Sequence, residues 1–378
     1  MTNIMRYLFM VFLCGYSAFS TAFVSEHYTL KASVIAEGLE HPWALAFLPN
    51  GDMLVTERSG QLRLVKPNGN VSRPIRGLPL ISPQGQGGLL DIILHPNYAK
   101  NGWLYLTYAS KNSQGNGTEV VRAKLNKQNL KLYDVEVLFR MQPKTSGGHH
   151  FGSRMAFDHN GFLFITLGDR GEKEAAQDLN DHRGTIIRLY DDGSIPKDNP
   201  FFNTPGALPE IYSYGHRNPQ GLVFNTKTNR LWQHEHGPQG GDEVNIIQPG
   251  KNYGWPTITY GVNYVFATKI GEGTHKQGML QPIHYWVPTS IAPSGMAFYY
   301  GDAFPQWQGN IFIGALRRQM LVRLVIKNNE VVHEEHLFEK KLGRIRDVRL
   351  GPDQFLYLLT DADDGKVVRI EPVSSNMQ

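Results

Sequence analysis

One unit recurs six times along the chain: an apolar strand, a turn built from Gly, Pro, Asn or Asp, and a second apolar strand. The copies read WALAFLPNGDMLVTE, LLDIILHPNYAKNGWLYLTY, SRMAFDHNGFLFITLGD, GLVFNTKTNRLWQHEHG, GMAFYYGDAFPQWQGNIFIGA and DVRLGPDQFLYLLTD. Each carries the signature of a β-hairpin. With Gly51, Gly102, Gly161, Asn229, Gly309 and Asp353 marking the turns, consecutive copies lie 51, 59, 68, 80 and 44 residues apart. A mean of about 60 residues accommodates a four-stranded sheet and its loops, the size of one propeller blade. The repeat predicts an all-β fold: a single six-bladed β-propeller of four-stranded antiparallel blades over residues 23–378. Only residues 172–188 read as locally helical.

Residues 1–22 precede the repeat and have a different character. They hold one charge, Arg6, then the apolar stretch YLFMVFLCGYSAF and the small-residue tripeptide Ser20-Thr21-Ala22. This is the layout of a cleaved signal peptide, too short to span a bilayer comfortably, and it predicts export to the periplasm rather than a membrane-spanning protein. Removing it takes away Cys14, the only cysteine of the chain. Disulfides and cysteine-based metal or nucleophile chemistry are then excluded. The formal charge of +4 is spread along the chain without a basic stripe, which argues against a nucleic-acid partner.

Propeller topology turns the repeat into a map. If the first strand of each hairpin lines a central channel, residues just before it and just after its partner gather at one channel mouth. Before the first strands stand Gln86, His149, His150, Arg217, Asn218, Ser294, Arg344 and Arg346; after the second strands stand Asp169, Glu235 to Pro238, Arg317, Arg318 and Asp361. His150 and Asp169 flank the same hairpin, so a carboxylate can hold one ring N–H and leave the other nitrogen as a general base. Arg217, Arg317, Arg344 and Arg346 would bring four permanent charges to one opening, which calls for an anionic ligand. Arg318, Arg323 and Arg349 read as solvated surface charges.

The stretch HEHGPQGGDEVNIIQPGKNYGWP, residues 234–256, offers exposed carbonyls and the Asp242-Glu243 pair, oxygen ligands that suit calcium. His149, His150, His234 and His236 are a weaker alternative as transition-metal ligands, because neighbouring strand residues point in different directions. Phosphate loops, dinucleotide fingerprints, nucleophile elbows and HExxH motifs are missing. Tyr105, Tyr214, Trp232, Tyr285, Trp286 and Trp307 are aromatics that could stack on a sugar or flat cofactor, or simply fill the core.

The runs GGHHFGSRMAFDHNGFLFITLGDRG, YGHRNPQGLVF, HEHGPQGGDEVN with KNYGWP, SGMAFY, and GRIRDVRLGPD with LYLLTD together resemble the soluble glucose and aldose sugar dehydrogenases that use pyrroloquinoline quinone. The resemblance covers roughly residues 33 to 372 and holds the motifs in family order. It implies that His150 takes the proton of the sugar's anomeric hydroxyl and that Asp169 orients it. It also implies that Arg217 and Asn218 lie beside the reactive quinone carbonyl, that Arg344 and Arg346 bind cofactor carboxylates, and that Gln86 contacts substrate and cofactor. Gly237 and Pro238 match carbonyls that hold a calcium ion at the quinone, and Asp242, Glu243 and Tyr253 match the surroundings of a second calcium. Arg317 stands where the glucose dehydrogenases have a lysine, and His149 where they tend to have an acid. The implied partners are an aldose sugar and an electron acceptor that the sequence does not identify, with the chain a monomer or a homodimer. Two other readings keep the fold: a calcium-dependent propeller lactonase or esterase, and a binding propeller without turnover.

Overall fold

The computed structural model describes residues 22–373. The signal-peptide reading falls outside the described residues apart from Ala22. All six hairpins form, and each supplies the first two strands of a blade. The innermost strands are Pro42–Phe47, Leu89–Leu94, Met155–Phe157, Pro219–Asn225, Pro293–Phe298 and Ile345–Leu350. They neighbour one another in a closed ring.

Ring closure joins the two ends of the chain. The sixth sheet takes Ile345–Leu350, Leu356–Thr360 and Gly365–Pro372 from the C-terminal side and Thr29–Leu39 from the N-terminal side, with Phe23–Val24 added outside. Leu30 pairs with Pro372 and Leu39 with Gly365. Apolar clusters fill the gaps between blades, as one of Leu54, Leu62, Leu89 and Leu104 does between the first two.

Two local expectations need correction. Four blades have four strands, but the first has three: Pro42–Phe47, Met53–Glu57 and Gln61–Val65. The chain that follows, KPNGNVSRPIRGLPLISPQGQGG, is dense in Pro and Gly, which remove ladder donors and weaken strands. It still donates from Ser72 and Ile75 to Leu64 and Leu62, so a fourth strand survives only as scattered bonds. Within 172–188 the helical part is a single 3-10 turn, Lys173–Gln177, and Thr185–Leu189 is a strand. The β-branched run Thr185-Ile186-Ile187 fits a buried pleated face better than a helix.

Ion pairs seal the channel beneath the mouth. Arg154 reaches Asp91 at 3.2 Å and Asp347 at 3.0 Å, while Arg349 reaches the same two carboxylates at 2.8 Å each. Two cations against two anions leave this floor without net charge, as burial requires. Arg349 is thus part of the channel floor rather than a solvated surface charge. Arg323 is buried as well, paired with Glu26 and Glu335 at 2.6 Å each.

Candidate active site

The strand ends above this floor bring most of the expected residues together. His150 Nδ1 lies 2.6 Å from Asp169 Oδ1, and the His150 backbone N–H donates to Gln86 Oε1 at 2.9 Å. Asp169 is held from three sides: Gly171 N–H donates to Oδ1 at 2.8 Å and the Trp255 indole N–H donates to Oδ2 at 2.8 Å. An ionised carboxylate only accepts, so the proton of this pair sits on Nδ1 and the lone pair of His150 is on Nε2.

Local backbone makes the pairing possible. His150 adopts φ 57°, a left-handed conformation rare outside glycine. At Gly168, just before Asp169, an added Cβ would lie 2.1 Å from the His150 carbonyl oxygen. Only glycine admits so close an approach of the two strand ends.

The electrostatics favour a neutral base beside an ionised acid. Burial lowers the His150 pKa from 6.5, helped by the positive charge of Arg217 and opposed by Asp169. Burial alone would raise Asp169, but the His150 hydrogen bond and charge, the Gly171 N–H and Arg217 outweigh it and hold the carboxyl below its usual range. Above pH 6.5 the imidazole is free to accept a proton.

Next to this pair a cleft of about 360 Å³ opens at the channel mouth. Arg58, Arg344 and Arg346 line it, with Trp43 and Phe151 as aromatic wall and Gln86, His236 and Asp361 as further polar groups. Asp361 is shared by Arg344 at 2.9 Å, Arg346 at 3.0 Å and His41 at 2.8 Å. Burial raises the Asp361 carboxyl, but Arg346, His41 and Arg344 together push it far below the ordinary carboxylate value. Three guanidiniums thus face one carboxylate in the lining. His236 donates from Nε2 to the Pro293 carbonyl at 2.8 Å, and burial pushes its pKa down to about 3, so it stays neutral.

A second, smaller cavity adjoins at His236 and is bordered by Arg217, Glu235, Gly237, Glu243, Tyr253 and Trp255. Arg217 donates to the carbonyls of Gly237 at 2.7 Å and His236 at 3.1 Å, and its guanidinium lies 5.3 Å from the Trp255 ring centre. Glu235 and Glu243 are directly opposed across neighbouring strands. Burial and the Glu235 charge raise Glu243 well above its ordinary value. Such a like-charged pair is relieved by a proton or a cation.

Some expected residues fall elsewhere. Arg317 is exposed and lines neither cavity, so the structure gathers Arg58 rather than Arg317 with Arg344 and Arg346. Asn218 is buried and accepts from the Gly152 N–H at 3.2 Å, supporting the loop behind the cleft. Asp242 accepts from Gly237, Ser290, Ile291 and Ala292, which fills both carboxylate oxygens and leaves none for a metal. In this arrangement it staples the loop to residues 290–292. The Tyr253 hydroxyl is likewise committed, donating to Ile246 O at 2.7 Å. Pro238 packs against Gly261. Among the described residues no three His, Cys, Asp or Glu side chains are arranged to hold a metal.

Sequence reasoning missed Arg58, Trp43 and Trp255. Arg58 was within reach, because it follows the second strand of the first hairpin as Asp169 follows that of the third. Trp255 lies in an irregular loop with no periodic signal. None of the six aromatics singled out lines the cleft; Tyr105, Trp232 and Trp307 are core.

A family description of glucose and sorbosone dehydrogenases matches residues 39–369. The chain belongs to this family. It is 44% identical to the aldose sugar dehydrogenase YliI of Escherichia coli over 364 residues, 96% of this chain and 98% of that one. The crystal structure of the apo form of the soluble E. coli aldose sugar dehydrogenase superposes with a TM-score of 0.88, covering 91% of this chain and 100% of that one at 44% identity. The PQQ-bound aldose sugar dehydrogenase of Streptomyces coelicolor superposes with a TM-score of 0.75 at 31% identity, covering 90% and 98%.

Proposed function

We propose that this family member is an exported quinoprotein dehydrogenase that oxidises aldose sugars at the anomeric carbon to lactones, with pyrroloquinoline quinone and calcium. The observation that carries the reading is the His150–Asp169 pair beside a cleft whose lining sets three guanidiniums against one carboxylate. That surplus suits a flat polycarboxylate, and Trp43 and Phe151 suit its rings. The S. coelicolor relative, whose structure holds the quinone, supports the same choice of cofactor.

Within this reading Arg344 and Arg346 hold cofactor carboxylates and Gln86 keeps the His150 backbone in place. Gly237 and Pro238 would offer carbonyls to one calcium ion. Glu243 and Tyr253, which line the same small cavity, would border a second; the opposed Glu235–Glu243 pair supports a cation there. Bound in these sites, the quinone would supply the hydride acceptor and calcium the Lewis acid that polarises its carbonyl. The sugar's C1 gives up hydride while its anomeric hydroxyl proton passes to His150 Nε2, and the lactone C=O forms. Asp169 stabilises the resulting imidazolium. Arg217 supplies fixed positive charge where negative charge develops. The signal-peptide layout of residues 1–22 supports a periplasmic location for this chemistry.

Purified protein supplied with quinone and calcium should reduce a redox dye on addition of aldoses. His150→Ala should lower turnover by about 10²-fold or more while still taking up the quinone. Full activity in that variant would refute the base assignment.

A further inference from the structure

Trp255 carries no role in the chemistry above, yet it touches both halves of the site. Its indole N–H donates to Asp169 Oδ2 at 2.8 Å, while Oδ1 takes His150 Nδ1 at 2.6 Å and Gly171 N–H at 2.8 Å. With both oxygens engaged the carboxylate cannot rotate away from the imidazole. The face of the same ring supports Arg217, whose guanidinium lies 5.3 Å from it and is fixed on the far side by the carbonyls of His236 and Gly237. Trp255 is buried and is itself anchored. Its backbone N–H donates to Gly215 O at 2.9 Å, and its carbonyl accepts from Gln177 Nε2 at 2.7 Å. It does not line the larger cleft.

We propose that Trp255 is a positioning residue: one indole that orients the proton acceptor through its N–H and the charge-stabilising Arg217 through its face. The inference rests on the dehydrogenase reading, since it assigns Trp255 to that reaction. The groups that face His150 are Asp169, Arg217, His149 and His236, and those that face Asp169 also include Arg170 and Arg183. Of the two, Asp169 alone meets Trp255 through a hydrogen bond, so changing the indole acts on His150 through this carboxylate. Taking away one donor concentrates charge on the remaining bonds of Asp169 and strengthens its hold on the Nδ1 proton.

Trp255→Phe removes the N–H and keeps a ring under Arg217. The expected result is a fall in kcat of about tenfold, the size of one lost hydrogen bond to a charged group, with the sugar KM unchanged. The acid limb of the rate profile should move to higher pH. In cofactor-free protein the His150 ring, followed by NMR, should titrate at higher pH in the same direction. Wild-type kcat with an unmoved His150 titration would overturn the proposal, as would a change in KM alone. A measurement on the unaltered protein guards against misfolding of the variant: the Trp255 indole N–H resonance should track the titration of His150, and a resonance flat through that range overturns the proposal. Should the unaltered protein with quinone and calcium reduce no dye on addition of sugar, the dehydrogenase reading fails. The cofactor-free titrations then still decide whether Trp255 governs His150.

Discussion

Replacing Asp169 by Asn changes one atom and breaks the site in a calculable way. The carboxylate accepts from His150 Nδ1 and Gly171 N–H on one oxygen and from the Trp255 indole on the other. An amide has one acceptor and one donor end. If its oxygen faces His150, the NH₂ group meets the indole N–H and a buried donor is orphaned, which costs about 1–3 kcal/mol of stability. If its NH₂ faces His150, Gly171 loses its acceptor, the imidazole proton moves to Nε2, and the base is occupied. The second arrangement should lower kcat/KM by about 10²–10⁴, the contribution of a general base. In either case a negative charge that raises His150 disappears, so residual activity should show its acid limb at lower pH than the parent protein. This is the opposite direction to Trp255→Phe. Dye-reduction rates across the acid limb, with urea unfolding alongside, measure both effects. Where the first arrangement holds, adding Trp255→Phe removes the donor that opposes the amide NH₂ and should recover part of the lost stability. A single variant with parental rate and an unmoved acid limb would refute the dyad.

Gly168→Ala should lose both soluble yield and turnover, because its Cβ would lie 2.1 Å from the His150 carbonyl oxygen and the strand ends must part; a well-folded, fully active variant would contradict this. Arg344→Met should weaken quinone binding by about tenfold or more in a fluorescence titration, since it removes one permanent charge from the cleft while the buried Arg346 keeps Asp361 paired. Acid stability should carry the signature of His236. Its folded pKa lies near 3 against 6.5 unfolded, so the unfolded chain binds the extra proton between these values. Stability should therefore fall as pH drops below 6.5, by about 1.4 kcal/mol per unit for such a group, and His236→Gln should flatten that slope in chemical denaturation.

The hairpin repeat was legible because a strand records its environment locally. Period-2 burial and turn residues are properties of neighbours in sequence, so all six hairpins could be read from the chain. The same map put His150 opposite Asp169, since both flank one hairpin. The shortened first blade was less visible, because its Pro- and Gly-rich sequel keeps enough apolar residues to resemble a strand.

What the chain could not announce were groupings across blades and loops. Arg349 and Arg323 look like any surface arginine until Asp91 and Asp347, or Glu26 and Glu335, arrive from distant segments to neutralise them. Asp242 has a ligand's chemistry, but the backbone N–H groups of Gly237, Ile291 and Ala292 and the hydroxyl of Ser290 use up its lone pairs. Trp255 became part of the site because an irregular loop carries its indole to Asp169, 86 residues away. Strand pattern is fixed by short-range sterics and burial. Which charge meets which depends on ring closure, where residues far apart in sequence must satisfy one another once water is gone.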